Sequence, residues 1–444
     1  MSSLPAVDES VALEPEEEVV QFVQDLIRIP SVNTGDPEIG EGERLCARYI
    51  QARLEELGLT TTYLESAPGR GNLLCRIPGL DRDRPALLLH CHLDVVPADA
   101  SEWSVPPFAG EIHDGMLFGR GAVDIKNMAG ILLAVARRLA TLGRRPERDV
   151  VCAWFADEEN GGAYGSQWMT EQHPELFEGV SESITEGGGY CVTLPNGKRA
   201  YLVSTAEKGA MRAKLTARGT AGHGAVVHDD NAVTRLSGAM YRLGTHRFPI
   251  VRTPHLEAML DGLDETLGRR LNRDDLDAEL DRLGFIGKTL RATLRNTLNP
   301  TMLEAGYKRN VVPSAAIGQF DGRVLPGCEE EFFADVERIA GPEIDIEWTR
   351  GWTIDSPPDA DLVERMRAAI QAEDPGATLI PFMLPGGTDN KLMAKIGING
   401  YGFVPMRVPS DFDNWGMFHA VDERVPVDSL RFGARVLSRL LADL

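Results

Sequence analysis

Apolar positions along the chain change their period several times, and each change predicts an element. Val19, Val20, Val23, Leu26 and Ile27 recur on one helical face, starting from Glu16. Glu41 to Leu57 carries the same period and stops at Gly58, a residue suited to a helix C-cap. Short unbroken apolar runs follow at Leu73 to Ile77, Ala86 to Cys91 and Val150 to Ala156, which is the pattern of strands buried on both faces. Between the last two, Ile125 to Leu142 predicts a helix closed by Gly143. Strands alternating with helices predict an α/β sheet with helices on both sides.

Near Ala206 the pattern changes. Met211 to Ala217 alternates like a half-exposed strand. A long charged helical stretch follows, about 256–298, then a strand from Val311 to Asp321, a helix from Glu329 to Ile339 and a strand from Ile344 to Trp348. From Trp352 the first style returns, with a turn at Ser356-Pro357-Pro358, a helix from Leu362 to Ala372 and a closing helix from Ser429 to Leu441. The expected organisation is an inserted domain, residues 205–351, within a discontinuous α/β domain of residues 1–204 and 352–444. Residues 1–15 are expected to be a loose acidic lead-in.

A chain of 444 residues is long for one core, in keeping with two domains. The formal net charge of −21 argues against nucleic acid and against an anionic membrane surface, since both call for a basic face. No stretch approaches the roughly 20 apolar residues of a membrane span, and the N-terminus lacks the basic patch and apolar run of a secretory signal. The six cysteines are scattered without CxxC spacing. They read as reduced thiols of a cytoplasmic protein, so a bound metal would take oxygen and imidazole ligands.

Three clusters carry candidate chemistry. The run Leu87-Leu88-Leu89 ends in His90-Cys91-His92-Leu93-Asp94, at the end of a predicted strand, where α/β proteins place their sites. His92 is a candidate ligand with Asp94 orienting its other ring nitrogen; taken alone, an ordinary hydrogen-bonded histidine is the commoner reading of such a position, and for His90 it is the better one. Gly119-Arg120-Gly121-Ala122-Val123-Asp124 precedes the apolar helix, so Asp124 is either an N-cap or a carboxylate shared between cations. Asp157-Glu158-Glu159-Asn160-Gly161-Gly162 follows a buried strand; it is either a solvated acidic loop or a set of acids neutralised by a cation. Glu186 and His419 would complete a two-metal site with His92, Asp124 and Glu159. Each cation would then have one histidine and one terminal carboxylate, with Asp124 shared and an open position left for substrate.

Taken in order, these motifs resemble the dinuclear zinc exopeptidases of the aminoacylase, succinyl-diaminopimelate desuccinylase, acetylornithine deacetylase and glutamate carboxypeptidase family. The resemblance spans nearly the whole chain and is strongest from Trp103 to Gly130. It implies a zinc-exopeptidase-like catalytic domain with an inserted α+β, ferredoxin-like lid that also forms a homodimer. It implies two Zn²⁺ per chain, replaceable by Co²⁺ or Mn²⁺, on His92, Asp124, Glu159, Glu186 and His419. Glu158 matches the general base and Asp94 the partner of the ligand histidine. In the lid, His223 matches a histidine motif, while Asn310 and Arg323 match motifs that hold the substrate. Gly387 and Thr388 fall in a glycine-rich substrate loop. The implied reaction is hydrolysis of an amide or peptide bond next to a free carboxylate, in an N-acyl amino acid or short peptide. A catalytically inactive metal-binding relative and a two-metal phosphoesterase are the alternatives. The phosphoesterase would want Lys or Arg near the metals. Departures from the family pattern are Ile-Lys-Asn-Met after Asp124 and an extra helical segment, about 250–300, in the inserted domain.

Overall fold

The computed structural model describes residues 14–36, 42–141 and 145–442. Most of the acidic lead-in, the predicted helix start at Glu41 and the predicted stop at Leu142–Gly143 lie outside the described residues. The fold is mixed α/β. A ten-stranded sheet runs in the order Thr61–Glu65, Gly71–Ile77, Val150–Phe155, Ala86–His92, Val180–Thr185, Asn399–Gly402, Arg199–Glu207, Ile354–Asp355, with Thr378–Leu384 and Cys191–Thr193 also paired to Arg199–Glu207. Ala86–His92 lies parallel to Val150–Phe155 and to Val180–Thr185. Their carboxyl ends therefore open on one side of the sheet, and His92, Asp157–Glu159 and Glu186 fall there together.

Helices Pro15–Arg28, Lys126–Thr141 and Val427–Ala442 pack on one another and on this sheet. Lys126–Thr141 is buried along almost its whole length, as its apolar composition requires. Among the described residues, no helix is long and apolar enough to cross a membrane.

A second sheet holds Thr297–Ala305, Ala315–Val324, Gly209–Arg218 and Ile344–Arg350 in that spatial order, with every pairing antiparallel. In chain order, helix Ala232–Thr245 follows Gly209–Arg218 and helix Glu329–Ala340 follows Ala315–Val324. This is the βαββαβ, ferredoxin-like arrangement. The predicted strand from Val311 to Asp321 is two pieces, Val311–Val312 and Ala315–Val324, because Pro313 interrupts the ladder.

The long helical stretch is also broken. It consists of Pro254–Leu267, Leu276–Asp281 and Phe285–Ala292, and Leu298 already belongs to a strand. The Thr253 side chain caps the first helix by accepting from Leu256 N at 3.1 Å, and Gly268 ends it in the left-handed conformation. Its apolar face does not cover the second sheet. Leu256, Met259, Leu260, Leu263, Leu280 and Leu290 join the core that holds Tyr201, Ile380 and Phe382 of the large sheet. The segment contributed within residues 205–351 thus buries its leucines under the larger body. At the crossover, Lys208 ties the two together, donating to the carbonyls of Ala292 and Arg295 at 2.9 and 2.8 Å.

Candidate metal centre

Asp124 stands between two groups of ligand-type side chains. Its Oδ1 lies 3.2 Å from His92 Nε2, and its Oδ2 lies 3.0 Å from His419 Nε2. Glu186 Oε1 approaches His92 Nε2 at 3.7 Å, and Glu159 Oε2 approaches His419 Nε2 at 3.1 Å. His92, Asp124 and Glu186 can place one donor atom each within 4.8 Å of one another, and so can Asp124, Glu159 and His419. The five residues come from five separate places in the chain. Three follow parallel strands, Asp124 precedes the central helix, and His419 adopts φ 59, a left-handed conformation uncommon for a non-glycine residue.

The supporting bonds explain the order. Asp94 is fully buried; its backbone carbonyl meets His92 Nδ1 at 3.0 Å and its carboxylate at 3.3 Å. Its two oxygens accept the backbone N–H groups of Glu158 and Glu159, each at 3.1 Å. One carboxylate therefore orients the histidine and pins the acidic pair. Asn33 Nδ2 donates to both Asp94 and Asp157 at 2.9 Å, joining the 157 loop to the strand end. Glu423 accepts from the N–H groups of Val123 and Asp124 on one oxygen, and from Gly121 N and Arg120 on the other.

The donor set fits divalent cations. Three carboxylates crowd two histidines in a mostly buried space. Burial raises the Glu186 carboxyl well above the usual range, with Asp124, Glu158 and Glu159 adding repulsion against the pull of His92. Hydrogen bonds donated to the Asp124 and Glu159 carboxylates hold His419 up at about 10. Glu159 Oε1 is buried without a hydrogen-bond partner, an uncompensated position that a cation satisfies. Glu158 stands at the rim, pushed up to about 8 by burial against the opposing pull of Lys391.

The other residues singled out in the sequence lie elsewhere. Thr388 bonds Glu207 through its N–H at 2.8 Å and its hydroxyl at 2.6 Å, with Gly387 beside that carboxylate. His223 is exposed on the short ladder with Val311; its Nδ1 accepts from Ala225 N at 3.1 Å. Asn310 is exposed next to it, its carbonyl bonded to Gly224 N. Arg323 faces Asp321 in a two-point pair at 2.6 and 3.1 Å. His90 is buried and bonded to Asn390 Oδ1 at 3.0 Å, so it is a partnered strand histidine.

Sequence reasoning missed Asn33, Lys391, Glu207 and Glu423. Glu423 had a local signal, its position four residues after His419; the others had none. Lys391 Nζ lies 3.7 Å from Glu158 Oε1, so the site is not without a lysine.

Residues 88–443 match peptidase family M20/M25/M40. The chain belongs to this family. Aminoacylase-1 of Pongo abelii is 27% identical over 440 residues, covering 97% of this chain and 96% of that protein. The N-fatty-acyl-amino acid synthase/hydrolase PM20D1 of Xenopus tropicalis is 25% identical and covers 96% and 86%. Among solved structures, the M20 family metallo-carboxypeptidase Sso-CP2 of Sulfolobus solfataricus superposes with a TM-score of 0.70 at 18% identity, covering 96% of this chain and 98% of that one. Human carnosine dipeptidase 1 gives 0.66 at 15% identity, with 96% of both chains covered. This M20 chain is a metal-dependent hydrolase of amide or peptide bonds.

Proposed function

We propose that the metals are two Zn²⁺ ions per chain, on His92, Asp124 and Glu186 and on Asp124, Glu159 and His419. We propose that the reaction is hydrolysis of an N-acyl amino acid or short peptide beside its free carboxylate. Asp124 carries this reading: its two oxygens face two different groups of ligands. When bound, such cations polarise a scissile carbonyl and acidify water.

The chain's own groups would do the rest. Glu158, fixed through its backbone to Asp94, takes the proton of the attacking water and passes it to the leaving nitrogen. Asp94 keeps the His92 ring in the orientation that presents Nε2 to the site. Asp321 holds the Nε–Nη2 edge of Arg323, and the remaining Nη1 edge of the planar guanidinium is offered to the substrate carboxylate. Gly387 and Thr388 line the substrate loop.

The lid is proposed to pair two copies of the chain, with His223 of one stabilising the oxyanion in the other. The exposure of His223, and of Val226, Val227, Met302, Leu303 and Tyr307 on the same unit, supports that reading. Six free cysteines suit a cytoplasmic setting.

The test is a hydrolysis screen of the zinc-loaded protein over N-acetyl amino acids, dipeptides and a phosphodiester. Turnover of an N-acetyl amino acid or dipeptide is expected. Turnover of the phosphodiester alone would reject the proposal.

A further inference from the structure

Lys391 is a cation at the edge of an acidic centre, and no other part of the proposed mechanism uses it. It sits on the short helix Asn390–Lys395, just beyond the Gly386-Gly387-Thr388-Asp389 loop. Its ammonium lies 3.7 Å from Glu158 Oε1, and its side chain keeps 25% of its exposure. The acids around it are engaged in part, Asp389 keeping a buried Oδ2 without a hydrogen-bond partner. Both oxygens of Glu207 accept from Thr388. Asp389 is buried, with Oδ1 accepting from Ser166 Oγ at 2.5 Å. Glu159, Glu186 and Asp124 are the proposed ligands. The cation beside the general base is the lysine's.

We propose that Lys391 is a specificity-determining residue that favours acylated substrates over those with a free α-amino group. The inference rests on the hydrolase reading above. In a dipeptide the α-ammonium is attached to the carbon next to the scissile carbonyl. Glu158 must come within hydrogen-bond reach of the water attacking that carbonyl, which brings the α-ammonium into the neighbourhood of the Lys391 ammonium. Two like charges at close range in a partly desolvated cleft repel strongly. A neutral acyl group at the same place meets no such repulsion. The family scaffold can thus be set for deacylation by a single side chain outside the ligand set.

The experiment compares three substrates with the same leaving amino acid: N-acetyl-, N-glycolyl- and glycyl-methionine. The first two carry neutral acyl groups of nearly the size of glycyl, so the contrast isolates charge from bulk. For the native zinc-loaded protein, kcat/KM is expected to favour both neutral acyl substrates over glycyl-methionine. In Lys391→Glu that preference should fall by about 10- to 100-fold. Lys391→Gln should fall between the two, and Lys391→Arg should retain the native preference. A purely structural lysine would lower all three rates together and leave the ratio unmoved. An unchanged ratio in folded, metal-loaded Lys391→Glu and Lys391→Gln would overturn the role of Lys391 alone. A native protein that cleaves none of the three, nor any other amide in the screen, would overturn the hydrolase reading and this inference with it.

Discussion

Glu423 holds Asp124 by its backbone: one carboxylate oxygen accepts the N–H of Asp124 at 3.0 Å and that of Val123 at 2.7 Å. The other oxygen receives Gly121 N at 3.0 Å and Arg120 at 2.8 Å. The loop that carries the central carboxylate is thus built around a second, fully buried one. Glu423→Gln keeps the shape but places an amide N–H₂ against donors. Metal affinity should drop by roughly 10- to 100-fold, as for other groups that orient ligands. Metal titration of the folded variant checks this; an unaltered affinity would leave Glu423 with a purely structural task.

Asp124→Ala should empty or scramble both proposed metal positions at once, because one of its oxygens faces each group of proposed ligands. Elemental analysis that finds one position still fully loaded would contradict the shared-ligand arrangement.

Glu158→Ala should keep its metals and its fold. Turnover should fall by about 10²- to 10⁴-fold or more, the usual contribution of a general base. Metal loss in this variant would mean that Glu158 and Glu159 have exchanged roles.

Arg323→Lys keeps the charge but loses the fork that Asp321 now grips at two points. The expected result is a raised KM for substrates with a free carboxylate, and little change for their amides. Equal cleavage of free-acid and amidated substrates by the native protein would assign Arg323 to another task.

His223 and Glu158 should complement each other between chains. Glu158→Ala and His223→Ala homodimers are each expected to be nearly inactive. Their heterodimer should regain one working site, because in the proposed dimer the chain with Glu158 would receive His223 from its neighbour. A folded, metal-loaded heterodimer without activity would place His223 in its own chain's site or outside the reaction.

Much of the fold was legible because buried strands and amphipathic helices leave periodic marks. Ala86–His92, Val150–Phe155 and Lys126–Thr141 fall where their apolar runs predicted. The breaks within 254–292 were harder to see, since charged helical composition continues across Gly268 and Asp275 while the chain turns. Its packing under Ile380 and Phe382 was invisible, because a leucine face records that it is buried and not what buries it.

At the candidate site, the order of residues already names the chemistry on offer: a histidine at the end of one strand, acids after two others, an aspartate before the apolar helix and a distant histidine. Local pattern could do this because strand ends and glycine-flanked acids are short-range features. Which of these residues meet follows from the folded arrangement alone. It set Asp124 between His92 and His419, residues 327 positions apart by the difference 419 − 92. It brought Lys391 against Glu158, gave Asp94 both backbone N–H groups of the acidic pair, and engaged Arg323 with Asp321. Those contacts depend on strand order and on buried charges finding partners across the fold. Burial costs an unpaired charge several kcal/mol, but that requirement is met by geometry, and distance along the chain carries no record of it.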